Sequence, residues 1–161
     1  MATTLQSLAA GCKRALFEDA GPAGRTRAAG LLSAALRDTG FVKEVFARPV
    51  GERQVAYEDP QLGFCILAHE SSHAREGKPH DHGPSWAIYG QAEGQSVMNE
   101  FEVVSPGRVR KVRSVTLSPG DAHVYNEGAI HAVTHAGPTR LVRIEGVDLA
   151  KAKRGVYTPV E

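Results

Sequence analysis

The chain has 161 residues and a formal net charge of +1, enough length for one domain that buries a core without disulfide or metal staples. Charges of both signs are well mixed, which gives no reason to expect nucleic acid or an anionic membrane surface as a partner. No run approaches the roughly 18–20 apolar residues of a membrane span, and the opening Met1-Ala-Thr-Thr-Leu-Gln-Ser-Leu8 has neither a basic region nor a cleavage site, so a cytoplasmic protein is expected.

In chain order, Leu5, Leu8, Ala9, Cys12, Ala15 and Leu16 recur at the spacing of an amphipathic helix, with Thr3 or Thr4 available as N-cap. Gly21-Pro22-Ala23-Gly24 breaks the pattern. Ala28, Leu31, Leu32, Ala35 and Leu36 then restore it as far as Gly40, which suits a left-handed C-cap. Neither helix carries a chemical motif, so their expected job is to cover one face of a sheet.

From Arg53 the texture changes to short apolar or alternating runs punctuated by turn signals such as Glu58-Asp59-Pro60, Ala92-Glu93-Gly94, Ser105-Pro106-Gly107 and Asn126-Glu127-Gly128. Strands are expected near 53–57, 63–69, 85–91, 95–104, 108–118, 121–125, 130–135 and 139–146. This regularity indicates an all-β-dominated chain, an antiparallel sandwich or jelly-roll barrel behind two N-terminal helices. One domain over 1–161 is expected, with a helical segment at 1–40, a barrel at about 50–149 and a surface strand or arm after Lys151. The basic run Arg108-Val-Arg-Lys-Val-Arg113 reads as a solvated strand face. The two cysteines, Cys12 and Cys65, lack metal-type spacing and fit a reducing compartment, with Cys65 read as a core thiol.

Two segments carry candidate chemistry. Lys78-Pro-His-Asp-His-Gly83 sets His80 and His82 two residues apart, so in an extended segment both rings point to one side. His-x-His alone is weak evidence. In the second segment, Gly120-Asp-Ala-His-Val-Tyr-Asn126-Glu-Gly128-Ala-Ile-His131, a turn reverses the chain and a histidine follows three residues after Gly128. In an antiparallel barrel that return strand can lie beside His80 and His82 and complete a facial metal set with His131.

These segments resemble the paired motifs of the cupin superfamily. The second motif matches at Gly120, Asn126 (where proline is usual), Gly128, His131 and His135 (where asparagine is usual); the first matches at His80, His82 and Gly94. The acidic ligand position falls on Ala87 or Trp86, so the usual carboxylate is missing. A three-His set without the acid resembles the thiol dioxygenases, meaning cysteine dioxygenase and its relatives. The stretch Tyr57–Ala68 followed by Pro79–Trp86 is similar to bacterial members, and the resemblance covers about residues 40–149. It implies a cupin double-stranded β-helix and Fe(II) on His80, His82 and His131, with Zn, Mn or Ni as alternatives. Three neutral imidazoles keep the full charge of the ion and leave three cis positions for an anionic substrate and O2.

The same family carries Ser-x-His-x-Tyr on a late strand. The matching positions here are Leu141, Arg143 and Glu145, and Ala87 stands where some members have a cysteine. Arg143 and Glu145 share a strand face, as an ion pair or as a carboxylate clamp with its orienting partner, and Glu145 as a metal ligand is a third reading. His135 is expected to support the ligands, Tyr89 to line the pocket or fill the core, and Arg48 or Arg53 to serve as another anion anchor. His123, His69 and His73 are expected to lie outside the ligand set. The expected activity is oxidation of a small thiol by O2 to its sulfinate. A different metal-dependent cupin reaction (carbon–carbon cleavage, isomerisation or lysis) and a non-catalytic metal- or ligand-sensing cupin are the alternatives. Pairing of two copies through a sheet, common among such barrels, makes a homodimer an expectation.

Overall fold

Thr4 starts the first helix with a reciprocal cap: its side chain accepts from the Ser7 N–H at 3.1 Å, and the Thr4 N–H donates to the Ser7 hydroxyl at 2.9 Å. The computed structural model, which describes residues 1–161, runs from there as α1 (Leu5–Glu18), α2 (Pro22–Leu36) and α3 (Thr39–Val45). Pro22 opens α2 at its first position, where a missing N–H costs nothing. Gly40 does not cap α2 as expected. That helix ends at Leu36, and Asp38 starts the short α3 by accepting from the Gly40 N–H at 2.9 Å, so an aspartate N-cap outcompetes a glycine C-cap.

Ten strands follow: β1 (Gln54–Glu58), β2 (Cys65–Ser71), β3 (Arg75–Glu76), β4 (Ala87–Glu93), β5 (Ser96–Ser105), β6 (Arg108–Leu117), β7 (Ala122–Tyr125), β8 (Ile130–His135), β9 (Thr139–Glu145) and β10 (Thr158–Val160). The eight expected strands are all present. The addition is the two-residue β3; the tail, expected as a surface strand or arm, supplies β10, which pairs parallel to β6. One sheet runs β1-β2-β9-β4-β7 and the other β10-β6-β5-β8-β3. From β2 to β9 the chain passes back and forth between the sheets, as a double-stranded β-helix requires.

The helices cover the outer face of the first sheet. Leu8, Cys12 and Leu16 of α1 and Ala28, Leu32 and Leu36 of α2 pack in one cluster with Ile66, Ile88, Val142 and Ile144. Gly90 permits that approach: a Cβ there would lie 2.6 Å from Leu36 Cδ1 and 2.8 Å from Leu32 Cδ2. Arg25 of α2 binds both oxygens of Glu127 at 2.5 and 2.6 Å and Asn126 Oδ1 at 3.0 Å, pinning the turn between β7 and β8 to the helical layer.

Between the sheets the apolar filling is thin. Ala87, Tyr89, Met98, Leu117, Tyr125 and Leu149 form its buried cluster, and His82, Gln91, Ser96, His131 and Glu145 are buried in the chain as well. Polar burial on this scale is costly unless partners or a ligand compensate it, which marks the interior as a site. The basic strand β6 is a solvated face, with Arg110 paired to Glu102 and Arg113 to Glu100 across the hairpin. Cys12 and Cys65 are buried free thiols, and burial raises them to about 12 and about 11, as suits core packing. No helix is long and apolar enough to cross a membrane.

Candidate metal centre

His80 and His82 sit on the segment between β3 and β4, and His131 on β8. His80 bridges antiparallel to His131 on one side and to Val156 of the tail on the other. The intervening Asp81 holds the segment in place. Its carboxylate accepts from the Gly83 N–H at 2.9 Å, the Gly155 N–H at 2.8 Å and the Tyr157 hydroxyl at 2.7 Å. Burial pushes the Asp81 carboxyl up, but the bonds from Tyr157, Gly155 and Gly83 outweigh it and hold it below the usual carboxylate range. Gly83 has φ +59, and a Cβ there would lie 2.3 Å from the Lys153 carbonyl, so the tail is packed hard against the His80–His82 segment.

The ligand-type atoms of His80, His82 and His131 lie within 4.8 Å of one another, and the group can hold a metal ion. His80 Nδ1 meets the Lys78 carbonyl at 2.9 Å and so must donate; its Nε2 is therefore a bare lone pair, and it is buried with no partner. His82 Nε2 and His131 Nε2 face each other at 3.1 Å. Ligands at about 2.1 Å from one ion in cis positions stand roughly 3 Å apart, so this spacing fits a shared ion. The Nδ1 atoms of His82 and His131 are buried without partners. All three imidazoles are held neutral. Burial, then the charges of His80 and Arg143, pulls His82 down to about 3; burial lowers His80 and His131 as well.

Tyr89 completes the group. Its side chain is fully buried, and its hydroxyl lies 3.1 Å from His82 Nε2 and 3.2 Å from His131 Nε2. Arg143 Nη1 donates to that oxygen at 2.9 Å, and the guanidinium carbon lies 4.8 Å from the Tyr89 ring centre. Arg143 also donates through Nε to His69 Nε2 at 2.9 Å and through Nη2 to Glu145 Oε1 at 3.0 Å. Three of its five N–H groups are thus engaged within the protein. Glu145 stands behind it, fully buried, accepting from Arg53 at 2.9 Å and the Leu149 N–H at 3.0 Å. It is outside the three-nitrogen group, and the Ala87 position opposite it leaves no carboxylate there.

His135 is buried and bonds Ser96 at 3.0 Å, with no hydrogen bond to the three histidines. His123 lies 3.4 Å from Glu100, and His73 is exposed. Arg48 is exposed, whereas Arg53 is tied to Glu145 and to Asp148 at 2.7 Å. His69 lies outside the three-histidine group as expected, but sequence reasoning missed its contact with Arg143. Its Nδ1 donates to the Glu52 carbonyl at 2.7 Å, leaving Nε2 to receive Arg143, and burial with the Arg143 charge pulls it down to about 2. The signal available was its parity with Leu67 on β2, the strand next to β9.

A cleft of about 610 Å3 opens onto this group. His80 and Tyr89 line it, with the fully buried His82 and His131 behind them. Its wall carries five cationic side chains, Arg53, Arg75, Lys78, Arg143 and Arg154, against three carboxylates, Glu52, Glu70 and Glu76.

The strand order settles the architecture, and both histidine segments meet within it. The fold is a jelly roll, the double-stranded β-helix. The chain matches no protein-family model and no curated protein. Solved structures similar to it include a cupin superfamily protein from Desulfitobacterium hafniense DCB-2, at 15% identity over 60% of this chain and 76% of that one, TM-score 0.46. Another is KdgF from Halomonas sp., at 20% identity over 58% of this chain and 74% of that one, TM-score 0.46. A third is a double-stranded β-helix protein from Klebsiella pneumoniae subsp. pneumoniae MGH 78578, at 14% identity over 66% and 83%, TM-score 0.48.

Proposed function

We propose that the protein is an iron-dependent dioxygenase that converts a small thiol to its sulfinate. The observation that carries this reading is the bare, buried His80 Nε2 directed to the same site as the facing Nε2 atoms of His82 and His131. Those three nitrogens would hold the ion. Fe(II) there would supply the redox chemistry that joins both atoms of O2 to sulfur, R–SH + O2 → R–SO2H, with no external reductant.

The chain's own residues do the rest. Burial keeps the three imidazoles neutral and their lone pairs free for a cation. Arg143 holds Tyr89 by its hydroxyl, so a phenolic oxygen faces the centre even though β9 lacks the serine, histidine and tyrosine of the resembling enzymes. Glu145 and His69 fix the guanidinium from two further sides. The cationic cleft wall favours a substrate whose far end is a carboxylate.

Oxygen uptake tests this reading. Anaerobically iron-loaded protein is mixed with cysteine, 3-mercaptopropionate, cysteamine and mercaptosuccinate, with metal content and sulfinate measured in parallel. Uptake matched by sulfinate supports it. Tight metal binding without uptake on any thiol would sink it and favour a Lewis-acid isomerase or lyase using Zn, Mn or Ni, the reading that the replaced Ser-x-His-x-Tyr positions also suit.

A further inference from the structure

The Tyr89 hydroxyl has a proton and no acceptor that outlasts metal binding. Arg143 can only donate to it, so the oxygen accepts there at 2.9 Å. The phenolic proton is left with His82 Nε2 at 3.1 Å and His131 Nε2 at 3.2 Å, and no carboxylate or carbonyl bonds this hydroxyl. Those are the same two lone pairs that a metal ion would take. A fully buried hydroxyl would then carry an orphaned proton.

The geometry offers a resolution. Tyr89 Oη, His82 Nε2 and His131 Nε2 stand at the corners of a nearly equilateral triangle with sides of 3.1, 3.1 and 3.2 Å. Neighbouring ligands in an octahedral shell at about 2.1 Å are roughly 3 Å apart, so the triangle has the dimensions of one face of such a shell. The Arg143 N–H directed at the third corner favours an anionic oxygen there.

We propose that Tyr89 is a fourth protein ligand, its phenolate oxygen bound to the metal held by His80, His82 and His131 and hydrogen-bonded by Arg143. Binding breaks the phenolic O–H bond, forms an oxygen–metal bond and releases one proton to solvent per ion. The oxidation state of the metal does not change in that step. The inference rests on the metal-site reading above and deepens it: with phenolate present the site's formal charge falls from 2+ to 1+, and two rather than three octahedral positions remain for other ligands.

The test is spectroscopic. Protein loaded with one ferric iron should show a broad visible phenolate-to-iron charge-transfer band, with phenolate ring modes enhanced in resonance Raman. Tyr89→Phe should lose both while its iron content stays that of the parent. Tyr125→Phe should keep both, since the Tyr125 hydroxyl is directed to Glu100 at 3.4 Å. Stoichiometric iron without a band in the unaltered protein overturns the proposal and leaves the three-histidine site standing, as does a band that survives in Tyr89→Phe. The unaltered protein decides the matter even if Tyr89→Phe does not fold. Failure of the unaltered protein to retain any metal overturns the site reading together with this inference.

Discussion

His80 and His131 exchange two backbone hydrogen bonds, the His80 N–H to the His131 carbonyl at 3.0 Å and the His131 N–H to the His80 carbonyl at 3.1 Å. The register of the two histidine-bearing segments is therefore set by main chain and does not depend on any imidazole. His82→Ala should accordingly remove metal without dismantling the site's frame. Titrated to about a hundred times the dissociation constant, the unaltered protein should gain about 2.7 kcal/mol of unfolding free energy, and the variant should gain none. Metal content after dialysis is the direct check, and stoichiometric metal in His82→Ala would refute the ligand assignment.

Much of this arrangement was legible in the residues, because strand alternation and turn chemistry are local. The turn-punctuated strand runs predicted the jelly roll, and the resemblance of the two histidine segments to the cupin motifs implied the clustering of His80, His82 and His131. What escaped was set by strand order. Tyr89 lies directly beside Arg143 across β4 and β9, and Ala87 beside Glu145, pairings that no spacing along the chain reveals. The contact of His69 with Arg143 arises likewise, from β2 being the other neighbour of β9. Asp81 looked like a spacer between two histidines, yet its partners Gly155 and Tyr157 come from the far end of the chain.

Asp81 joins that tail to the His80–His82 segment, and its removal should loosen both. Hydrogen bonds to a charged group contribute about 1.5–3 kcal/mol each when well buried, and less with partial exposure. Asp81→Ala should lower unfolding free energy by about 2–3 kcal/mol, and Tyr157→Phe, which removes one of the three bonds, by about 1 kcal/mol. Urea unfolding at neutral pH measures both. A neutral Asp81→Ala would mean that the tail is held by its backbone pairing alone.

Glu145 is the buried carboxylate between Arg53 and Arg143. Removing one partner of a buried ion pair costs roughly 3–5 kcal/mol, and the half-open Arg53 side places this case at the lower end. Glu145→Gln should therefore cost about 3 kcal/mol in urea unfolding. It should also weaken the grip on Arg143, so the ferric charge-transfer band should shift in energy without disappearing. An unchanged band would separate Glu145 from the positioning of Tyr89.

His69 makes stability depend on pH. Its folded-state value, about 2, lies below the ordinary value of about 6.5, so the unfolded chain takes a proton that the folded chain refuses. The contribution is fully present above about pH 6.5 and is lost as pH falls from there toward the folded value, at up to about 1.4 kcal/mol per pH unit. His69→Gln can keep a donor for Glu52 and an acceptor for Arg143 while removing the titration. Between pH 7 and pH 5 the variant should lose up to about 2 kcal/mol less than the parent in urea unfolding. Parallel stability curves would show that His69 titrates freely in the folded protein.

Substrate preference follows from counting ligands and charges. With Tyr89 bound, a thiol that chelated through sulfur and amine would fill both remaining positions, whereas one bound through sulfur alone, its carboxylate held by the cleft wall, would leave one open. Arg53 is paired to Glu145 and Asp148, Arg143 to Glu145, and Glu70 to Arg140. The cleft wall still carries Arg75, Lys78 and Arg154 against Glu52 and Glu76, which further disfavours a protonated amine and favours a carboxylate. Values of kcat/KM should thus fall from 3-mercaptopropionate and mercaptosuccinate through cysteine to cysteamine, the extremes differing by at least about tenfold, or 1.4 kcal/mol. Tyr89→Phe frees a position and should narrow the gap between cysteine and 3-mercaptopropionate. Arg154→Gln touches only the wall and should lower mercaptosuccinate oxidation more than cysteamine oxidation, leaving the cysteine to 3-mercaptopropionate ratio nearly unchanged. If cysteamine and 3-mercaptopropionate react equally well, neither the fourth ligand nor the charged wall governs the choice of thiol.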